Sequence, residues 1–247
     1  NPTAALTIPI PGELNRFVFA MPEQLGRVYL GLTDEAAPGP IPDVPEPSSE
    51  EIAFLLDTVN TALATELRTD DMIGAYAGLR PLIDTGEGRT ADVSREHAVV
   101  EAPSEVISII GGKLTEYRYM AEDVVDFAIA RRHLRAANCR TRNLPLIGAP
   151  ANSGSAAGPG AGLPASLVAR YGAEAPNVVA SATCDRPTEP VAEGIDVTRA
   201  EFEYAVTHEC ALGVDDILDR RTRIGLVQRD RERVVSVAEE FLALNKG

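Results

Sequence analysis

Residues 105–118 read E-V-I-S-I-I-G-G-K-L-T-E-Y-R, and this stretch decides the fold around it. The apolar run Glu105–Ile110 predicts a short β-strand, which stops at two consecutive glycines, Gly111 and Gly112. Apolar residues then recur with helical spacing from Leu114 to Ala136, which predicts a long helix. Glycines let a backbone approach a ligand closely, and a helix N-terminus offers unpaired N–H groups and partial positive charge. The stretch therefore predicts a strand–turn–helix unit suited to an anion or an electron-rich ring edge.

Lys113 adds a full positive charge to this turn. An equally simple alternative is a glycine turn that leads into a helix with a solvated lysine, and spacing alone does not separate the two. The stretch is not a Walker loop, because G-x-x-x-x-G-K-[ST] is absent, and no G-x-G-x-x-G fingerprint follows a first strand. The sequence therefore predicts no complete dinucleotide-binding unit.

Two arginines are further candidates for binding an anion. Arg80 lies near the end of the stretch Met72–Leu82, which has strand-like composition. Pro81 follows Arg80 directly and favours an extended conformation for it. An arginine at the end of a strand is well placed to bind phosphate or carboxylate with both arms of its guanidinium. Arg95 follows a loop rich in glycine and charge and precedes the predicted strand His97–Glu101, where it can converge with Arg80. Taken alone, two arginines in such positions are more often surface residues.

The N-terminal part is predicted to be a sheet with one helix. Residues Asn15–Met21 and Arg27–Leu32 are rich in β-branched and aromatic side chains and flank a polar turn, which predicts a hairpin. A proline-rich connector follows, and then Ser48 and Glu51 form a capping-box pattern. The helix that it opens has an apolar face that continues to Leu67.

Beyond residue 138 the pattern changes. The segment 148–162 consists mainly of small residues and has no periodicity, which predicts a flexible linker. The remainder is predicted to be helical, over Leu163–Tyr171, Val178–Ala182, Arg199–Leu212, Asp215–Asp219 and Arg229–Leu244. The fold class is therefore predicted to be α+β, with a mixed-sheet domain over residues 1–138 and a small all-helical domain over 139–247.

Composition excludes several classes of protein. The 247 residues include 23 Lys and Arg against 37 Asp and Glu, a net charge of −14, which argues against general nucleic-acid binding. No apolar run approaches the length of a bilayer span. Three widely spaced cysteines without a C-x-x-C pair argue against a disulfide framework or a structural zinc site and favour a cytoplasmic location. Neither a metal motif nor a serine-hydrolase motif is present.

Four blocks of this sequence together resemble the FAD-dependent glycerol-3-phosphate dehydrogenases. They are Y-A-G-L-R-P-L (76–82), I-G-G-K-L-T-E-Y-R (110–118), L-P-L-I-G-A (144–149) and D-D-I-L-D-R-R-T-R-I-G (215–225). Their order and spacing agree with that family over essentially the whole chain. The resemblance implies oxidation of sn-glycerol 3-phosphate to dihydroxyacetone phosphate, with a hydride passing from C2 to the flavin N5 of FAD and electrons passing on to membrane quinone.

The resemblance also assigns residues. It implies that Arg80 and Lys113 are catalytic and that Arg80 and Arg95 bind the substrate. Thr33 and Asp34 match a G-T-T-D turn of the family that reads G-L-T-D here. The implied flavin-binding residues are Gly111, Gly112, Lys113, Leu114, Thr115, Thr33 and Asp34, and no metal is implied.

Two parts of the family pattern have no match. The Rossmann half that holds the ADP of FAD, and the histidine motif that supplies the base, would both precede Asn1. We therefore expect a fragment that is inactive by itself and whose strands have lost neighbours. We further expect a cytoplasmic location, a homodimer and peripheral contact with the cytoplasmic face of the membrane, although no basic amphipathic helix stands out in the sequence. Two alternatives stay open: a non-catalytic interaction domain, and an amine or amino-acid oxidase of the same flavoprotein superfamily.

Overall fold

A computed structural model describes residues 4–23, 26–83, 96–149 and 160–244. They contain both strands and helices, which confirms the mixed composition predicted from the sequence. The chain divides into two compact units: Asn1–Thr69 with Tyr76–Leu144, and Asp70–Ala75 with Pro145–Gly247. Arg95 and residues 150–159 of the predicted linker lie outside the described residues.

The first unit begins with an antiparallel sheet in the order β1-β2-β3. Its strands are β1 Leu6–Pro9, β2 Phe17–Pro22 and β3 Val28–Gly31. The predicted hairpin is confirmed as β2 and β3. The sequence did not indicate β1, because that strand is short and ends in a proline. Pro9 is tolerated there because β1 lies at the edge of the sheet as described.

Helix α1, Ser49–Asn60, packs on this sheet and completes a small core around Ile8, Val18 and Val59. The predicted capping box is confirmed: the Glu51 backbone N–H donates to the Ser48 hydroxyl, and the Ser48 N–H donates to the Glu51 carboxylate. The helix ends before Leu67, however. The Asn60 side chain both donates to and accepts from the Leu67 backbone at 2.8 Å, which closes a loop in place of further helical turns.

A second hairpin and a helix confirm the predicted strand–turn–helix unit. Strands β4, His97–Glu101, and β5, Ile107–Gly111, pair antiparallel, and a 3-10 turn, Leu114–Glu116, leads into helix α2, Tyr117–Arg131. The helix ends five residues before the predicted Ala136, and soon afterwards the backbone of His133 adopts a φ of 52°.

The prediction of a strand over Met72–Leu82 was wrong. The chain there has no regular secondary structure after a 3-10 turn, Thr69–Asp71, and forms no ladder with another described strand. Strand-like composition is not sufficient by itself, because a strand requires a neighbour with which its backbone groups can pair.

The second unit is mainly helical. Its helices are α3 Ala165–Tyr171, α4 Ala175–Ser181, α5 Arg199–Thr207 and α6 Gln228–Leu244, with a π-helical turn at Asp216–Arg221. The prediction that this part is all-helical was wrong, because strands β6, Pro190–Ala192, and β7, Ile195–Thr198, form a hairpin. The reason is packing: the β-branched side chains of that hairpin enter the same core as Phe202 and Phe241.

Two glutamates of α5 are buried with polar partners. Glu201 is 2% exposed and accepts hydrogen bonds from Arg170 Nε at 2.6 Å and from the Thr198 backbone at 2.7 Å. Glu203 accepts from the Thr183 hydroxyl and from the backbone of Thr183 and Cys184. Burial raises the pKa of Glu203, but these hydrogen bonds outweigh it and hold the pKa below its ordinary value.

Cys139, Cys184 and Cys210 are free thiols.

Among the described residues, no helix combines the length and the apolar character that crossing a bilayer requires.

Candidate functional site

The turn between β5 and α2 requires glycine at both of its positions. Gly111 and Gly112 have φ of +74° and +77°, which disfavours any residue with a Cβ. A Cβ on Gly111 would also lie 2.6 Å from the Glu96 carbonyl oxygen and 3.1 Å from Ile83 Cδ1. A Cβ on Gly112 would lie 2.5 Å from Met120 Sδ. The predicted tight turn is thus present, and it packs closely on the side that faces the protein.

Lys113 follows in an extended conformation and begins the first turn of the helical segment. Its ammonium donates to Glu116 Oε1 at 2.9 Å, and this hydrogen bond is the main reason that the pKa of Glu116 lies below its ordinary value. Leu114 is 90% exposed, and Thr115 is exposed as well. The helix start therefore presents a paired but accessible cation. Sequence reasoning missed Glu116, although its spacing of three residues from Lys113 was the available signal.

Arg80 and Asp34 form an ion pair across 46 residues of sequence, with 2.6 Å between Arg80 Nη1 and Asp34 Oδ2. The Asp34 side chain is 12% exposed, whereas that of Arg80 is 39% exposed. The structure thus brings together two residues that were predicted for different ligands, the substrate and the flavin. A half-exposed guanidinium held on one side by a carboxylate keeps N–H groups for an incoming anion.

The segment that carries Arg80 runs between the two parts of the site. Near its start, the Tyr76 ring meets the Tyr29 ring of β3 edge to face, with 6.0 Å between centroids. At its end, the Ile83 side chain lies against Gly111. Arg80 is therefore anchored on both sides, between the first sheet and the glycine turn.

Thr33 is held by helix α1. Its hydroxyl donates to Glu51 Oε1 at 2.6 Å, and Glu51 also caps the helix through Ser48. The Thr33 hydrogen bond is the largest cause of a pKa of Glu51 below the ordinary value, and the Ser48 backbone adds to it. The role of Glu51 toward Thr33 was not predicted from sequence, because the two residues are 18 positions apart.

Replacing Thr33 by valine is expected to raise the pKa of Glu51 toward its ordinary value. A lowered carboxyl pKa in the folded state adds stability above the unfolded-state pKa, and that stability is lost as the pH falls through the folded-state pKa. The variant should therefore be less stable than wild type at neutral pH, and the difference should shrink in acid. NMR titration of the Glu51 carboxyl carbon measures the change in pKa. Thermal melts from neutral pH down through the folded-state pKa of Glu51 measure the change in stability. Thr69→Val removes an exposed hydroxyl that is remote in sequence and should leave the Glu51 titration unchanged; an equal shift there would contradict the assignment.

A glycine turn at a helix start, with an accessible lysine beside it and an arginine–aspartate pair in the same unit, has the chemistry to bind a phosphorylated or ring-bearing ligand. Known proteins resemble this chain in a consistent way. Residues 139–244 match the family described as the C-terminal domain of alpha-glycerophosphate oxidase. Over 247 residues, 98% of this chain and 48% of the relative, the chain is 83% identical to glycerol-3-phosphate dehydrogenase 1 of Mycobacterium tuberculosis.

Two more distant relatives are also glycerol-3-phosphate dehydrogenases. A mitochondrial glycerol-3-phosphate dehydrogenase of Arabidopsis thaliana is 34% identical over 250 residues, which cover 90% of this chain and 39% of that protein. The X-ray structure of the glycerol-3-phosphate dehydrogenase from Bacillus halodurans complexed with FAD superposes with a TM-score of 0.72 at 26% identity, over 98% of this chain and 50% of that one. The chain spans about half the length of the mycobacterial relative.

The resemblance predicted from the four sequence blocks is thereby confirmed. Residues 139–244 match the family described as the C-terminal domain of alpha-glycerophosphate oxidase, and the chain resembles the C-terminal half of a glycerol-3-phosphate dehydrogenase.

Proposed function

We propose that this chain is the C-terminal half of an FAD-dependent glycerol-3-phosphate dehydrogenase, which oxidises sn-glycerol 3-phosphate to dihydroxyacetone phosphate. The observation that carries this proposal is the 83% identity to a glycerol-3-phosphate dehydrogenase over 98% of the chain. The FAD-bound state of the Bacillus halodurans structure supports the choice of cofactor. In this proposal residues 1–138 complete the flavin- and substrate-binding domain, and residues 139–247, with the linker at 148–162, form the C-terminal domain.

The turn has the chemistry to hold a flavin. Gly111 and Gly112 hold the turn in a backbone conformation with positive φ, Leu114 is exposed beside them, and Thr115 adds a hydroxyl. Bound FAD would supply the hydride acceptor. Reduced flavin is anionic, and the Lys113 ammonium together with the helix N-terminus stabilises negative charge there.

The substrate phosphate is assigned to Arg80. Asp34 holds one arm of its guanidinium at 2.6 Å and so fixes the direction of the other N–H groups. A dianionic phosphate is a better partner for that fork than a neutral alcohol or an amine, which favours glycerol 3-phosphate over the substrates of amine oxidases. Arg95 is proposed to contribute a second cation. Thr33 and Asp34 are proposed to approach the flavin from the turn after β3.

Electrons are proposed to leave to membrane quinone, with the protein a homodimer at the cytoplasmic face of the membrane. A basic segment supports the membrane contact. Residues 131–144 include five arginines and no acidic residue in a chain of net charge −14, and Leu134 and Leu144 are exposed within this segment. Arg131 and Arg132 pair with Glu101, which leaves Arg135, Arg140 and Arg142 as the exposed cations proposed for the lipid contact. Arginines with exposed apolar side chains suit an anionic lipid surface.

The test uses the full-length protein that contains this chain. It should reduce an artificial dye with glycerol 3-phosphate but not with glycine-like amines, and it should reduce quinone faster in anionic than in neutral vesicles. The isolated 247-residue chain is the control and should carry no flavin absorbance. Oxidation of amines in preference to glycerol 3-phosphate would refute the proposed substrate, and equal rates in both vesicle types would refute the lipid contact.

A further inference from the structure

His97 lies directly beside the glycine turn. It is the first residue of β4 and stands opposite Gly111 in the register of the β4–β5 hairpin. Its side chain is only 11% exposed, and its Nε2 lies 2.7 Å from Asp123 Oδ2 on α2. The Tyr119 ring, also on α2, meets the His97 ring edge to face at 5.2 Å. His97 thus joins the hairpin to the helix on either side of the turn.

The turn rests on this junction. A Cβ on Gly112 would come within 3.2 Å of His97 Cβ, and the Gly112 N–H donates to the carbonyl of Glu96, the residue before His97. Among the described residues, Asp123 contacts His97 directly, and Glu116, at the start of the same helical segment, binds Lys113. The position of the turn and that of Lys113 therefore both depend on how β4 is held against α2.

We propose that His97 and Asp123 form a positioning pair, which locks the Gly111–Gly112 turn between β4 and α2 so that the turn and Lys113 face the flavin in one geometry. The proposal rests on the proposed function, because it takes the turn to be a flavin contact. Neither residue touches the ligand in this account. Their effect is to preorganise a backbone segment whose position relative to the flavin ring must be correct to within about 0.5 Å.

Loss of the His97–Asp123 hydrogen bond should affect both the binding and the reduction potential of the flavin. Without it, the turn samples several positions, so flavin binding has to order it again and becomes weaker. Lys113 and the helix N-terminus then stabilise the reduced flavin less well, and the reduction potential of the bound flavin falls. A residue that only contributes packing would lower stability without moving the potential.

The experiment compares variants of the full-length holoenzyme. His97→Ala and Asp123→Ala should each weaken FAD binding by about tenfold and lower the flavin potential, and the double variant should be no worse than either, because one interaction is lost in all three. His97→Gln should restore most of both quantities, because its side-chain amide can donate to Asp123. Asp126→Ala, an exposed carboxylate on the same helix, is the matched control and should behave as wild type.

Three results would each overturn the proposal. They are losses of FAD affinity that add up in the double variant, a His97→Gln variant that behaves like His97→Ala, and wild-type FAD affinity and flavin potential in the alanine variants. Should His97→Ala fail to fold, Asp123→Asn and His97→Gln carry the same comparison. Hydrogen exchange at the Gly112 and Lys113 amides provides a readout that does not need FAD. Faster exchange in His97→Ala and Asp123→Ala supports the positioning role. If the wild-type protein bound no flavin, that finding would refute the proposed function but not the positioning role. Unchanged exchange overturns the pair.

Discussion

Replacing Arg80 by alanine in the full-length protein is expected to lower kcat/KM for glycerol 3-phosphate by about 100- to 1000-fold. The guanidinium is a half-exposed cation fixed by a single-sided ion pair to Asp34, so its loss removes the group assigned to the substrate phosphate. It also leaves the Asp34 carboxylate without this cation, which adds electrostatic repulsion toward a dianionic substrate. Steady-state kinetics with glycerol 3-phosphate and with glycerol measure the effect.

Comparing glycerol 3-phosphate with glycerol isolates the contribution of the phosphate. Any oxidation of glycerol, which has no phosphate, should change little, so the effect should appear as a loss of discrimination between the two substrates. Arg80→Lys should recover only part of the activity, because an ammonium keeps the charge and loses the fork. Arg186→Ala, which removes an exposed arginine paired with Glu189, is the control and should retain wild-type rates. Wild-type kinetics in Arg80→Ala would contradict the assignment.

Replacing Gly111 by alanine is expected to destabilise the folded protein by about 2–4 kcal/mol and to reduce the bound flavin. At a φ of +74°, an alanine costs about 1–2 kcal/mol by itself. The new Cβ would also lie 2.6 Å from the Glu96 carbonyl, a backbone atom that cannot turn away as a side chain can. The hairpin must therefore shift, and the turn moves with it. Denaturant unfolding and the ratio of flavin to protein absorbance measure the two effects.

Gly78→Ala is the matched control for this variant. Gly78 is exposed, and a Cβ there meets nothing within 4 Å, so its free energy of unfolding should stay within about 0.5 kcal/mol of wild type. Equal stability and equal flavin content of Gly111→Ala and Gly78→Ala would show that the turn tolerates a side chain, and would contradict the requirement for glycine at this position.

Local signals in the sequence were sufficient for several elements. Ser48 and Glu51 predicted the start of α1 because a capping box involves residues only three positions apart. Likewise, Gly111 and Gly112 predicted the turn between strand and helix because the requirement for positive φ belongs to those residues themselves. The four blocks predicted a resemblance to glycerol-3-phosphate dehydrogenases, and the similarity to known members bears it out. The roles assigned to Arg80, Arg95 and Lys113 remain predictions.

Contacts between distant residues were beyond the reach of such signals. Met72–Leu82 has the composition of a strand, yet it lacks a described strand to pair with, and the hairpin at 190–198 forms because the core around Phe202 accepts its side chains. The pairs Arg80–Asp34 and His97–Asp123 join residues 46 and 26 positions apart. The sequence by itself determined where backbone geometry is restricted and which family the chain resembles, because those properties reside in neighbouring residues. Only the tertiary structure decided which charges pair and which strands form, because both depend on what chain folding brings within a few ångströms.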